Sequence, residues 1–378
     1  MSTYQLGLAS ALSDAGHLVD IYTRKTDPEA PAVLKVFPGV RLLNIDDGQG
    51  NLAKNEIYPC SSQVASAIYR FIELDTTQTK GGYNILFSHY WLSGVAGQLL
   101  KQKFKLPHLV MFHTLGRAKN EACLEEKEPP ERIREEENLA RNCDLLVAAA
   151  ESEKERLCNY YNLLPGKVAR IYCGIDRRLF KPHDPFQARR ELGLGSEKII
   201  LFVGRTEPVK GLDLLIRAAA LLPLEDNFKV ILIGGDSAGE PLIAGLKELA
   251  AGLGIPERII FMGTVDHQRL PLFYSAAAVT AIPSYYESLS LAALESLACG
   301  TPLVAGRVGI IPELLTAYTE SPLGWMIEKR DPALWASSLR SALLRNEKIN
   351  QSIIDHVLAP FNWTAAADHL DARCRELL

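Results

Sequence analysis

Short apolar runs alternate along the chain with longer stretches whose apolar residues recur at helical spacing. The runs predict a first series of strands at Leu18–Thr23, Tyr83–Ser88, His108–His113, Asp144–Ala149 and Lys167–Tyr172. A second series follows at Lys198–Val203, Lys229–Gly234, Arg258–Met262, Ala278–Pro283 and Pro302–Ala305. Amphipathic stretches such as Leu212–Leu222, Pro241–Leu253 and Leu291–Ala298 lie between them and predict helices. Near-continuous Val, Ile and Leu in the strands fits parallel sheets covered by helices on both faces. The chain reads as α/β, without low-complexity tracts or short solenoid repeats.

Three places break this rhythm. The segment Gly174–Pro182 closes the first series, and a new βα series starts soon after it, so a domain boundary is placed there. The acidic run Glu125–Glu137 holds Pro129 and Pro130 and then starts a helix with Glu in its first turns. Negative charge there suits the helix dipole, and a solvated helix start explains the run. The N-terminus opens directly in a helix, Thr3–Gly16, ahead of the strand Leu18–Thr23. A doubly wound domain normally begins with a strand and a phosphate-facing turn before that helix. Neither is in the sequence.

At 378 residues the chain exceeds one ordinary core and fits two domains. A net charge of −4 leaves no electrostatic footprint for nucleic acid or an anionic membrane surface. No apolar run approaches the roughly 20 residues needed to span a bilayer, and no secretory leader pattern is visible. The cysteines (Cys60, Cys123, Cys143, Cys158, Cys173, Cys299, Cys374) stand singly, without C-x-x-C spacing. That argues for reduced thiols in a cytoplasmic protein, against a disulfide framework or a zinc site.

The most informative stretch runs from Pro283 to Pro302 as strand, turn, helix, Gly stop and next strand. Its turn lies outside the carboxyl end of a strand, where open α/β sheets bind ligands. The N–H groups of Leu289, Ser290 and Leu291 begin the helix without intrahelical partners and suit an anion. Glu287 precedes this helix and Glu295 lies about two turns into it, so each carboxylate can accept paired hydroxyls from a different sugar. A second signal is Phe202-Val-Gly-Arg-Thr-Glu-Pro-Val-Lys-Gly-Leu212. Lys210 there opposes the dipole of the helix it precedes, so local stability explains it poorly. Arg205 and Lys210 beside an anion-binding helix start fit a diphosphate. Two histidine segments, Phe87-Ser-His-Tyr-Trp-Leu-Ser-Gly94 and Phe112-His-Thr-Leu-Gly-Arg-Ala-Lys-Asn120, each follow a strand of the first domain. His89 reads as a structural residue, whereas His113 closes an apolar strand facing the inter-domain cleft. No histidine shows metal-ligand spacing.

Jointly the Glu287-x7-Glu295 pattern, the Gly204-Arg205…Lys210-Gly211 motif and the Gly174-Ile-Asp176 linker resemble the retaining glycosyltransferases of family four, over nearly the whole chain. Within that family the two histidine segments are most similar to the mycothiol-pathway N-acetylglucosaminyltransferase and the sucrose-phosphate synthases. The resemblance implies the GT-B fold, with two Rossmann-like domains whose parallel sheets face an inter-domain cleft. Residues 1–176 would bind acceptor, lacking their first strand, and residues 177–358 would bind the nucleotide sugar. Residues 359–378, with Phe361-Asn-Trp363, would form a helix crossing back to the first domain.

The resemblance also implies roles. Glu295 would bind the nucleotide ribose, and Arg205 and Lys210 would neutralise the diphosphate. Glu287 and the backbone from Ser288 through Leu289, Ser290 and Leu291 would hold the donor sugar and distal phosphate. His113 would contact the donor sugar across the cleft. Gly204, Gly234-Gly235-Asp236 and Gly263-Thr-Val265 would border the nucleotide, with Val265 near the base. Lys54, Tyr90 and Thr114 would hold a phosphate on the acceptor. The donor, UDP-linked in this reading, is a substrate, and neither cofactor nor metal is implied. The leaving diphosphate would take the acceptor proton on the face it departs from, so retention needs no second carboxylate.

The sequence departs from the family in two ways. The family usually has Glu-x-Phe-Gly where this chain has Glu287-Ser288-Leu289-Ser290, which adds a Cβ beside the ligand. Met1-Ser-Thr-Tyr4 aligns with residues that normally follow a first strand and a Gly-Gly loop bordering the donor phosphates. A mis-called start or a truncated sequence is the reading adopted. A sugar-nucleotide 2-epimerase on the same fold and a non-catalytic nucleotide-sugar-binding module are the alternatives. An acceptor-free reaction would mark the first, and a genuine N-terminal loss the second.

Overall fold

In the computed structural model the described residues are 3–50, 52, 56–75, 82–122, 127–235, 241–318, 323–345 and 347–378. The chain forms two compact units. Met1–Arg117, Glu128–Gly174 and Phe361–Leu378 make the first, and Ala118–Lys127 with Ile175–Pro360 the second.

The first unit contains β1 (Val19–Arg24), β2 (Val33–Phe37), β3 (Val40–Ile45), β4 (Leu86–His89), β5 (His108–Met111), β6 (Leu145–Ala148) and β7 (Val168–Arg170). β4 to β7 lie side by side in sequence order, all parallel. β1, β3 and β2 form a separate three-stranded sheet in that order. Here the all-parallel expectation needs correcting, because β2 runs antiparallel to β3 across a Pro38-Gly39 turn. Neither strand was predicted. Every residue of β2 is exposed or half-buried, so its apolar signal resembles that of a loop. β5 also ends earlier than predicted, at Met111, because His113 adopts φ 60° and turns the chain away.

The second unit holds β8 (Lys198–Val203), β9 (Phe228–Ile233), β10 (Ile259–Gly263), β11 (Val279–Ile282), β12 (Leu303–Gly306) and β13 (Gly324–Ile327). They make one parallel sheet in the order β10-β9-β8-β11-β12-β13. Helices cover it with apolar stripes. Leu212, Leu215, Ile216 and Ala219 of the helix Leu212–Ala220 are buried at helical spacing. Trp335, on the helix Pro332–Arg345, fills the same core. The strand order reverses between β8 and β11, the topological switch point of a doubly wound sheet.

The helix Trp363–Arg375 belongs to the first unit, and the Asn362 side chain caps it by accepting the Ala365 N–H at 2.7 Å. The Trp363 ring meets the Tyr4 ring edge-on, 5.5 Å between centroids. A Cβ on Gly7 or Gly174 would stand 2.3 or 2.4 Å from that indole, so only glycine admits the tryptophan at either place. No helix among the described residues is long and apolar enough to cross a membrane.

Candidate functional site

The structure gathers those predicted residues that it describes in two sets, one in each unit. In the second unit they surround the switch point. Gly204 N–H donates to Ile233 O at 3.0 Å and Gly234 N–H to Gly263 O at 2.9 Å, lacing together the ends of β8, β9 and β10. Gly234 has φ 122°, and a Cβ there would lie 1.9 Å from the Gly204 carbonyl oxygen. Only glycine fits. Gly235 follows it, and half-buried Val265 follows β10. Asp236 lies outside the described residues.

Across the switch point, the turn after β11 leads into the helix Leu291–Ala298. Lys210 closes the short turn Pro208–Lys210 after β8 and donates to Glu287 Oε1 at 2.8 Å. Ser284 Oγ donates to the same oxygen, also at 2.8 Å. Both charged side chains are 15% exposed, so two residues assigned separately from the sequence form one largely buried ion pair. Among the described residues nothing engages Glu287 Oε2. Arg205, by contrast, is 70% exposed and pairs with Glu207.

Ser290 is the N-cap of the helix at φ 86°, and no side chain caps the helix start. The left-handed conformation that normally favours glycine is therefore kept by a serine, at a cost of about 1–3 kcal/mol. Ser288 and Ser290 are buried, and Leu289 and Leu291 half-buried. Such strain is found where the backbone itself has a task.

Glu295 is buried on the same helix. Its Oε2 accepts the Tyr274 hydroxyl at 2.8 Å, and His267 Nε2 stands 3.6 Å from its Oε1. Burial, then the Glu295 charge, pushes the Tyr274 phenol well up. Hydrogen bonding to Glu295 raises His267 above its ordinary value. Glu295→Ala is expected to weaken UDP binding by about ten- to a hundredfold, since a charged hydrogen bond is worth roughly 1.5–3 kcal/mol. Tyr274→Phe, which keeps the carboxylate, is the control for packing. Unchanged UDP affinity of Glu295→Ala by calorimetry would remove Glu295 from the nucleotide site.

In the first unit the structure joins Tyr90 and Thr114 through a residue the sequence reading missed. Arg132 donates to the Tyr90 hydroxyl at 3.2 Å, to Thr114 Oγ1 at 2.9 Å and to the Thr114 carbonyl at 2.7 Å. It also pairs with Glu136 at 2.7 Å and Glu128 at 2.8 Å. Arg132 is 1% exposed and Glu136 is 0%. This corrects the solvated reading of Glu125–Glu137. The helix Pro130–Asn142 carries a buried i, i+4 ion pair on its inner face, with Leu139 one turn further. That Arg-x-x-x-Glu spacing ahead of a buried leucine was the available signal. Burial opposes the Arg132 charge, but Glu136 and Glu128 outweigh it and hold Arg132 above its ordinary value. Glu136 is fixed further by the Gly116 N–H at 2.8 Å.

His89 and His113 meet at the ends of β4 and β5, with His89 Nδ1 2.9 Å from His113 Nε2. His89 was read as a structural residue without a link to His113. Lys54 lies outside the described residues. No cluster of three or more His, Cys, Asp or Glu among the described residues is arranged to hold a metal ion.

Comparison with known proteins gives this geometry a family. Residues 1–179 match the family described as Glycosyltransferase Family 4, and residues 185–355 match Glycosyl transferases group 1. A D-inositol 3-phosphate glycosyltransferase of Thermobifida fusca is 34% identical over 100% of this chain and 88% of its own. One from Geodermatophilus obscurus is 34% identical over 98% of this chain and 83% of its own. The chain belongs to glycosyltransferase family four. Among solved structures, the sucrose-phosphate synthase of Thermosynechococcus elongatus superposes on this family-four glycosyltransferase with a TM-score of 0.87 at 29% identity. It covers 99% of this chain and 92% of that one. The switch-point residues and the Arg132 cluster are thus elements of a GT-B glycosyltransferase.

Proposed function

We propose that this glycosyltransferase moves a sugar from a UDP-linked donor to a hydroxyl of a phosphorylated small molecule, with retention at the anomeric carbon. The observation that carries the acceptor half is the buried Arg132 guanidinium, which gathers the Tyr90 and Thr114 hydroxyls around one point. A cation with two hydroxyl donors is a phosphate cradle in chemical terms. An arriving phosphate displaces Glu128 from Arg132, while Glu136 stays held by Gly116. The curated relatives named for D-inositol 3-phosphate support this class of acceptor.

The donor half rests on the switch point. The uncapped amides at Leu289, Ser290 and Leu291 take the distal phosphate, and Lys210 stabilises charge on the departing diphosphate. Glu287, oriented by Lys210 and Ser284, offers Oε2 to the sugar hydroxyls, and Glu295 takes the ribose. Arg205 leaves Glu207 to join the diphosphate. With protein cations and amides supplying this stabilisation, transfer needs no divalent ion.

The test is UDP release from UDP-sugars, with and without EDTA, using inositol 3-phosphate and plain inositol as acceptors. The phosphorylated acceptor is expected to react at least about tenfold faster, as one lost charge-assisted contact implies. Equal rates would remove the phosphate cradle. Conversion of the donor sugar without any acceptor would replace transfer with epimerisation.

A further inference from the structure

The pair formed by His89 and His113 goes beyond the roles assigned so far. β4 and β5 are parallel neighbours with His89 opposite Met111, so the residues after them emerge side by side. Both segments then bend through left-handed backbone, Tyr90 at φ 77° and His113 at φ 60°, and the Tyr90 N–H ties the bends together through Met111 O at 2.8 Å. Neither residue is glycine, so both conformations carry strain. The bends bring the imidazoles edge to edge, with centroids 5.1 Å apart and planes 27° apart. Tyr4 presses its ring against His89 at 5.8 Å and His113 at 5.2 Å, and Phe87 lies 4.3 Å from His89. These rings pack around both imidazoles.

Burial pushes His89 down to about 3, with His113 adding to the shift, and burial alone pushes His113 down to about 4. Both rings are therefore neutral near pH 7. A neutral imidazole has one N–H and one lone pair. The bond between His89 Nδ1 and His113 Nε2 needs one of each, so the two tautomers are linked. If His89 donates, His113 carries its proton on Nδ1. If His113 donates from Nε2, its Nδ1 is a lone pair. The protonation of His113 Nδ1 and that of His89 Nδ1 therefore change together.

We infer that His89 is a positioning residue for sugar transfer, holding the His113 ring in one orientation and coupling its tautomer to that of His89 through the Nδ1–Nε2 hydrogen bond. This rests on the reading that His113 serves the transfer reaction.

The experiment compares His89→Leu, which keeps bulk without the bond, His89→Asn, whose amide can replace Nδ1, and His113→Ala. Steady-state kinetics are combined with ring 15N spectra of histidine-labelled protein. His89→Leu is expected to lower kcat by about ten- to a hundredfold, the usual scale for a lost orienting partner, with KM for donor and acceptor within about threefold. His89→Asn should recover most of the loss. Wild-type His113 should show the ring 15N shifts of a hydrogen-bonded Nε2, and the leucine variant should lose that signature. Wild-type kcat in His89→Leu while His113→Ala is inactive would overturn the inference and leave the reading of His113 intact. Full activity of His113→Ala would overturn that reading and the inference with it. Should the leucine variant fail to fold, a wild-type spectrum in which His113 Nε2 carries no hydrogen bond would overturn the inference alone.

Discussion

Lys210→Ala is expected to lower turnover by at least about a hundredfold, the cost of losing a donor that meets charge only as it develops. In the resting protein Lys210 serves Glu287, fixed at 2.8 Å with Ser284 on the same oxygen. The ion pair keeps the ammonium at the end of β8, facing the turn after β11, before any donor arrives. Little reorganisation is then needed when the diphosphate leaves. UDP affinity should fall less than kcat, because ground-state binding is shared with the helix amides. Arg205→Ala should have a smaller effect, since Arg205 is 70% exposed and must first leave Glu207. Single-turnover rates and calorimetry separate the two quantities. A Lys210→Ala protein that melts early but keeps its specific activity would show the lysine to be a structural tie.

The second large effect is on stability. Arg132→Ala should cost about 3–5 kcal/mol, because it strands the Glu136 carboxylate in the interior without its cation. Glu136 is 0% exposed, and burial already pushes its carboxyl up against the pull of Arg132. A loss of that size is a large part of the 5–15 kcal/mol that holds a typical domain folded. Arg132→Met combined with Glu136→Gln should regain about 1–2 kcal/mol, since the fully buried carboxylate is then gone and only Glu128 still loses its pairing with Arg132. Urea unfolding of the variants provides the measurement. If Arg132→Ala unfolds within about 1 kcal/mol of wild type, the cluster is not held by charge.

The second unit was easier to read from sequence than the first, for a physical reason. Its strands are covered on both faces, so the strand Lys198–Val203, an unbroken apolar run after its first residue, shows with the bounds the structure gives it. β2 sits at a sheet edge with no buried residue, and β13 sits at the edge of the other sheet with only Ile327 buried, so neither stands out from a loop. The same contrast holds for the site. Glu287, Glu295 and Lys210 announce themselves because motif spacing places them at strand ends and along a helix. That Lys210 and Glu287 touch could not be read, since they are 77 residues apart and meet only because β8 and β11 are neighbours. Arg132 was hidden in an acidic run whose composition looks solvated, although two of its charges face inward. The His89–His113 bond depends on two backbone bends that ordinary propensities disfavour.

The helix that carries Trp363 has a consequence for how the protein is made. Ile175–Pro360 of the second unit is continuous, whereas the helix beginning at Trp363 returns to the first unit. A ribosome must therefore deliver all of that segment before the indole can reach Tyr4, Gly7 and Gly174. The first unit, although begun first, therefore cannot be completed until the last helix of the chain has been made. Until then Tyr4, Gly7 and Gly174 lack the indole that fills the space beside them in the folded protein.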